Sequence, residues 1–242
     1  MRTPYRILIS EVMLQQTQVE RVMDKYCIFV KKFPGFAALA GAPLSDILGV
    51  WQGLGYNRRA VALKRMAEIV MREFKGKLPS QEKELLKLPG IGKYTASAVY
   101  TFVHNKPSIF IETNIRRVFI HFFFEGETDI RDADILPLID RTLDKNNPRE
   151  WYYALMDYGV MLRKSAQNPN RRSAHYQRQS PFSGSNRQAR GLILKTVIDN
   201  PGIPEREIIP RLQADPERVE ANIGRLIQEG FLKRKGKGLF IA

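Results

Sequence analysis

The stretch Leu88-Pro89-Gly90-Ile91-Gly92-Lys93-Tyr94-Thr95-Ala96-Ser97-Ala98-Val99-Tyr100 decides how this chain is read. Residues 81–87 before it predict a helix with leucines at 85, 86 and, just beyond, 88. Residues 94–103 predict a second helix, rich in alanine and valine. Pro-Gly-x-Gly between them reads as a short hairpin. Glycine is used where the backbone takes a positive φ or lies against something else, and this turn asks for it twice. A turn that ends one helix and starts the next leaves backbone N–H groups pointing outward at a helix N-terminus, a place for a phosphate oxygen. Lys93 adds a positive charge beside it. An ordinary αα-hairpin with a glycine turn fits the same residues, so the neighbours must decide.

The chain has 242 residues, enough for one or two domains with a substantial core. Its apolar fraction of 43% suits a globular protein, and no apolar run approaches the ~20 residues that span a bilayer. The N-terminus lacks a signal-peptide pattern. The single cysteine, Cys27, cannot form an internal disulfide, and its apolar surroundings predict a buried thiol. An intracellular setting, cytoplasm or nucleoid, is expected. Lys and Arg number 39 against 25 Asp and Glu, a formal charge of +14. A structured, strongly basic chain most often meets nucleic acid through its phosphates; a generic basic surface is the plainer alternative.

Residues 7–14 predict an apolar helix with Glu11 in its middle. A glutamate among apolar residues is unfavourable unless paired, protonated or at a cavity wall. On pattern alone, facing water on an amphipathic helix is the simpler reading. Gln15, Gln16, Thr17 and Gln18 follow, groups that hydrogen-bond base edges or fill the space of a displaced base. Further helices are predicted at 19–33, at 36–48 with a break near Pro43, and at 60–74. The last follows Trp51-Gln52-Gly53-Leu54-Gly55-Tyr56-Asn57-Arg58-Arg59, a close glycine turn.

Together these segments resemble the helix-hairpin-helix DNA glycosylase superfamily that includes endonuclease III. Ser10-Glu11-Val12-Met13-Leu14-Gln15-Gln16-Thr17-Gln18-Val19 resembles the signature of its MutY-type adenine glycosylases. The resemblance implies that Glu11 is the catalytic acid, that Gln15 and Gln16 enter the duplex around the orphaned base, and that Tyr56 wedges into the stack. Asn57 departs from the second aromatic residue often found beside that tyrosine.

After the hairpin comes Ile109-Phe110-Ile111-Glu112-Thr113-Asn114-Ile115-Arg116-Arg117-Val118, an apolar run leading into a helix that Thr113 or Asn114 would cap. Relatives hold an essential aspartate here; Asn114, Arg117 and Val118 match, and Glu112 replaces the aspartate. The longer stem shifts the carboxylate by roughly 1–1.5 Å, which catalytic geometry tolerates poorly. At position 94, strand-cleaving relatives carry a lysine. Tyr94 has no amine, and Lys93 lies about 100° round the helix, so the resemblance implies a glycosylase without lysine-based lyase chemistry. Residues 134–143 and 149–162 predict two more helices, the second with a core stripe of Trp151, Tyr152, Leu155, Met156, Val160 and Met161.

Relatives continue with four cysteines that hold a four-iron, four-sulfur cluster. Residues 163–190 contain no cysteine, so no such cluster forms and no cofactor or metal site is expected. This segment has seven Lys or Arg and no acidic residue, and Arg171 and Arg172 are expected to meet DNA without metal. A solvated linker is the alternative. Helices predicted at 192–199, 204–212 and 216–228 (the last capped by Asp215), then two short strands around a basic glycine turn within 230–241, resemble a winged helix. It would be an accessory DNA contact or a site for a protein partner. The Nudix-like domain usual in MutY-type enzymes is absent from this sequence.

The expected architecture is mainly α: a glycosylase domain over 1–162, a basic loop over 163–190 and a small α+β winged-helix domain over 191–242. Glu11, Glu112, Tyr94 and Asn114 form the expected catalytic group. Gln15, Gln16, Tyr56, Arg59, Gly90, Gly92, Lys93, Arg117, Arg171 and Arg172 form the expected contact with double-stranded DNA carrying a damaged or mismatched base. The protein is expected to act as a monomer with no membrane association. The resemblance implies excision of adenine opposite guanine or 8-oxoguanine. A uracil or thymine mismatch enzyme, or a DNA-binding protein that has lost catalysis, are the alternatives.

Overall fold

The computed structural model describes residues 3–164, 167–177, 181–212 and 215–242. Parts of the basic segment, residues 165–166 and 178–180, lie outside them. Its helices, in chain order, are α1 (Pro4–Leu14), α2 (Val19–Lys32), α3 (Phe36–Gly41), α4 (Leu44–Trp51), α5 (Arg58–Glu73), α6 (Glu82–Leu85), α7 (Lys93–His104), α8 (Thr113–Phe123), α9 (Asp132–Thr142), α10 (Pro148–Arg163), α11 (Asn186–Asp199), α12 (Glu205–Leu212) and α13 (Pro216–Gln228). A 3-10 turn covers Pro169–Arg172, and the strands are β1 (Ile203–Pro204), β2 (Leu232–Lys235) and β3 (Gly238–Ile241). Pro43 splits the third predicted helix into α3 and α4, because a proline pushes the residue before it out of the helical region: Ala42 has ψ 141°.

Contacts group the chain into two compact units interleaved along the sequence: Met1–Glu11 with Leu78–Gln179, and Val12–Lys77 with Ser180–Ala242. In the first, α7 to α10 close around Phe102, Phe110, Phe119 and Tyr152. The rings of Phe110 and Tyr152 stack at 3.9 Å, and the Tyr152 hydroxyl donates to Ser108 O at 2.9 Å. Burial raises this phenol to about 12. Each such side chain, removed from water, contributes roughly 1.5–3 kcal/mol. Helix α10 lies so close to α8 that a Cβ on Gly159 would stand 2.4 Å from Asn114 O and 2.6 Å from Asn114 Cβ. The predicted core stripe of α10 is only partly core. Tyr152 is buried, while Val160 and Met161 are 41% and 54% exposed.

In the second unit Trp51 is fully buried, with Phe29 edge-on at 6.0 Å. Cys27 lies on the outer side of α2 and is exposed, so the buried thiol expected from its neighbours is not found. The winged region belongs to this unit. Its sheet has the order β1-β3-β2, both pairings antiparallel; β1 was not expected, and its Pro204 was expected to start the helix 204–212. A Cβ on Gly238 would stand 2.6 Å from Gly202 O, so glycine is required for β1 and β3 to approach. Helix α11 begins within the expected loop, at Asn186, capped by the Ser185 side chain. Asp215 stands at the N-cap of α13, as expected, but its side chain makes no capping hydrogen bond. Glu229 accepts from Arg58 of α5 and Arg190 of α11, which ties the winged region to the helices of 12–77. Those two arginines hold its carboxyl down at about 2.

Candidate active site

Two groups of site residues emerge, one in each unit. The first is built on Glu11. Its neighbours Leu8, Ile9 and Val12 are core residues, and α1 turns the carboxylate inward with them, 7% exposed. The Tyr94 hydroxyl, from the first turn of α7, donates to Glu11 Oε2 at 3.3 Å. Burial pushes the Glu11 carboxyl up to about 7, against the pull of the Tyr94 hydrogen bond, and the Glu112 carboxylate adds to the rise. Tyr94 packs edge-on to Phe110 at 5.7 Å, and its phenol is held well above its usual range, first by burial. Glu11 is thus a carboxyl poised between its charged and neutral forms near neutral pH.

Glu112 is the N-cap of α8, in place of the Thr113 or Asn114 expected from capping preferences. Its backbone is extended, φ −131° and ψ 178°, which lets the longer stem fold back over the helix start. Oε1 accepts from Asn114 N at 2.6 Å and Ile115 N at 2.7 Å; Oε2 accepts from Asn114 Nδ2 at 3.3 Å. Burial raises this carboxyl, opposed by the two backbone N–H groups and then by Arg117 and Arg116. One oxygen is therefore spent on the helix, while the other faces the group around it.

Arg117 is a correction. It was expected on the DNA, but it is buried, 3% exposed. Its guanidinium donates to Asn114 Oδ1 at 2.7 Å, to Asn168 Oδ1 at 3.0 Å and to Gly159 O. Arg172 is a second. It lies against the end of α8, donating to Ile120 O at 2.9 Å and to Phe124 O, so it satisfies carbonyls left open at a helix C-terminus. Arg171 beside it is exposed. Residues 168–172 are held by polar links to α8: Asn168 to Arg117, Asn170 Nδ2 to Thr113 O at 2.8 Å, and Arg172. One cysteine in the sequence cannot supply four thiolates, and the chain does not fit that group.

In the hairpin, Gly90 has φ +78° and needs to be glycine. Gly92 does not, within the chain itself: it caps α7 at φ −90°, and a Cβ there would meet nothing within 4 Å. Its open side and the exposed Lys93 face outward at the start of α7.

The second group lies in the other unit. Gln15 is half-buried, and Gln16 is exposed with φ +52°. Tyr56, 40% exposed, has φ +47°, and its hydroxyl lies 3.5 Å from Arg187 Nη1 of α11. Arg59 is a third correction. It was expected among the DNA contacts, yet its guanidinium is turned into the fold against backbone carbonyls of 12–15 and 54–55. The phase of α5 carries a signal for this: Arg59 shares a stripe with Leu63, Met66 and Val70, all buried. The sequence reading missed Gly159, Asn168 and Arg187, none of which carries a local signature.

Residues 9–134 match the family described as HhH-GPD superfamily base excision DNA repair protein. An adenine DNA glycosylase of Buchnera aphidicola subsp. Baizongia pistaciae is 39% identical over 66% of this chain and 46% of its own length. One of Mycobacterium tuberculosis is 33% identical over 81% of this chain and 70% of its own. The chain thus spans about half the length of the first and more than two thirds of the second. A solved thermostable thymine-DNA glycosylase superposes with TM-score 0.62 at 29% identity, covering 70% of this chain and 79% of that one. An endonuclease III–DNA complex, at TM-score 0.60 and 20% identity over 69% and 78%, shares the fold. With a matching segment that includes Glu11, the hairpin and Glu112, the chain belongs to the HhH-GPD superfamily of base excision DNA repair proteins.

Proposed function

We propose that this protein is a DNA glycosylase that hydrolyses the N-glycosidic bond of a mismatched adenine, opposite guanine or 8-oxoguanine, after the base has been flipped from the duplex. The observation that carries the reading is a buried Glu11 carboxyl, raised to about 7 and hydrogen-bonded to Tyr94, with the capped Glu112 carboxylate near it. A carboxyl that holds its proton near neutral pH can give it to a ring nitrogen of the leaving base. The bond from C1′ to the base then breaks with its electron pair going to the base, and positive charge develops on the sugar. Glu112 Oε2, fixed by the cap, stabilises that charge. A water adds to C1′, and its proton returns to the Glu11 carboxylate, as in two-carboxylate glycoside cleavage. Tyr94 orients Glu11. It supplies no amine, so the strand is left uncut.

Gly92, Lys93 and the N-terminus of α7 are the proposed seat of a phosphate. Gln15, Gln16 and Tyr56 occupy the gap left by the base. The adenine assignment follows the relatives in Buchnera and Mycobacterium. The structural likeness to a thymine-DNA glycosylase favours a second reading, excision of thymine or uracil from a mismatch. The test is base release from duplexes carrying A·G, A·8-oxoguanine, U·G, T·G and hypoxanthine·T, followed by alkaline cleavage of abasic sites. Product from the adenine duplexes alone supports the proposal. Product from uracil or thymine alone replaces it with the second reading. Tight binding with no product from any duplex would leave a DNA-binding protein.

A further inference from the structure

Arg59 makes a set of contacts that a phosphate-binding arginine does not. Its Nη1 reaches Val12 O at 2.8 Å, Met13 O at 2.9 Å and Gln15 O at 2.6 Å. Its Nη2 reaches Thr17 Oγ1 at 3.0 Å, Leu54 O at 3.2 Å and Gly55 O at 3.1 Å. A guanidinium has five N–H donors. Its four terminal hydrogens are shared among these acceptors, and the remaining Nε–H is buried with no hydrogen-bond partner. The terminal donors are thus engaged within the chain, and the one unpaired donor is buried. The guanidinium also lies over Trp51 and Tyr56, 5.3 and 5.6 Å from the ring centres.

The acceptors belong to two turns. One ends α1, where the last carbonyls of a helix lack partners within it and attract a cation. The other is the glycine turn before α5. Each turn holds a non-glycine residue at positive φ, Gln16 at +52° and Tyr56 at +47°. Such conformations persist where the surroundings hold them. Thr17 Oγ1 also lies 3.1 Å from Gln15 O and 3.4 Å from Leu54 O, and Trp51 Nε1 donates to Gly55 O at 3.0 Å, so the two turns are cross-linked around the arginine.

We infer that Arg59 is a positioning residue that clamps the Gln15–Gln16 turn and the Tyr56 turn into one preorganised insertion element, and that it does not bind the DNA backbone. The consequence for catalysis rests on the glycosylase reading; the clamp itself does not. In the free 242-residue chain, Arg59→Lys and Arg59→Ala are expected to raise amide exchange at residues 15–17 and 54–57 at least tenfold, with the rest of the chain unchanged. Lysine keeps the charge and loses the fork, so it should not rescue. The salt dependence of binding to duplex DNA should keep its slope, because no phosphate contact is lost. With an A·8-oxoguanine duplex, the single-turnover rate should fall at least thirtyfold with little change in Kd, and a 2-aminopurine at the target should show less extrusion.

A binding slope reduced by about one in Arg59→Ala, with wild-type slope, rate and exchange restored in Arg59→Lys, would mark a phosphate contact and overturn the clamp. Should neither variant fold, Thr17→Ala removes one node of the same network. It is expected to raise exchange at the same two turns together, and exchange raised at only one of them rejects the coupling. If wild type releases no base from any duplex, the glycosylase reading fails, while exchange and salt slope still decide the clamp.

Discussion

Replacing Glu11 by glutamine is expected to stabilise the folded chain, and increasingly so as pH rises. An unfolded glutamate ionises near 4.5, and in the fold burial moves this carboxyl to about 7. Between those values the folded state keeps a proton that the unfolded state has lost. The raised value therefore makes wild-type stability fall as pH climbs from about 4.5, and the loss levels off once the carboxyl is ionised in both states, above about 7. At about 1.36 kcal/mol for each pH unit between the two values, the full penalty is about 3 kcal/mol. Worked through the linkage relation, roughly 1 kcal/mol of it is present near pH 5.5 and nearly all of it near pH 8.5. Glutamine does not titrate, has nearly the same volume, and still offers Tyr94 an acceptor. Urea unfolding of Glu11→Gln and wild type, followed by circular dichroism, should show the variant's advantage growing by about 2 kcal/mol between those two conditions. With a denaturant slope of about 2 kcal/mol per molar, the two midpoints should separate by roughly a further 1 M. An advantage that stays constant or shrinks with rising pH would falsify burial as the origin of the raised carboxyl, and with it the acid role built on that burial.

The same titration should govern turnover: the single-turnover rate of base release should fall about tenfold per pH unit above roughly pH 7 as Glu11 loses its proton, and Glu11→Gln should lack both the activity and the profile. Glu112→Asp should keep the cap, with stability within about 1 kcal/mol of wild type, yet slow base release at least tenfold because the open oxygen is drawn back by about 1 Å. Gly159→Ala places a methyl group on Asn114 and should lower stability by about 1–3 kcal/mol while displacing Asn114 and Glu112, read as a lower urea midpoint together with lost turnover. Glu229→Gln should loosen the winged region from α5. The carboxylate is held below its ordinary value, so its contribution is full above about pH 4.5 and fades as pH falls toward 2. Allowing for solvent screening it is about 1 kcal/mol, visible as faster amide exchange in α11 and α13 at neutral pH.

How much of this was legible beforehand differs from residue to residue. The helices and their breaks were, because apolar periodicity, Pro43 and the glycine turns act on neighbouring residues. The hairpin was legible for the same reason, although only Gly90 needs its glycine for backbone reasons. The arginines were not. Arg59, Arg117 and Arg172 read as surface charges in a basic chain, but each finds backbone carbonyls or amides distant in sequence, and a guanidinium with buried acceptors stays inside. Glu112 read as an altered catalytic carboxylate; that it is also the cap of α8 depends on its backbone angles, which composition does not carry.

From the sequence alone came the superfamily motifs, the strong positive charge, the helical architecture with a winged end, and the exclusion of a four-cysteine cluster. The charge and the helices follow from composition and local spacing, the motifs and the winged end from resemblance, and the missing cluster ligands from a count. The tertiary structure decided which side chains are buried, what they touch and where their protons lie. Glu11 and Tyr94 are 83 residues apart, and Arg59 gathers carbonyls as far as 47 residues away. A carboxyl's proton affinity depends on the water removed from it and the charges brought near it. Those are properties of the packed fold, and residues adjacent in the chain do not set them.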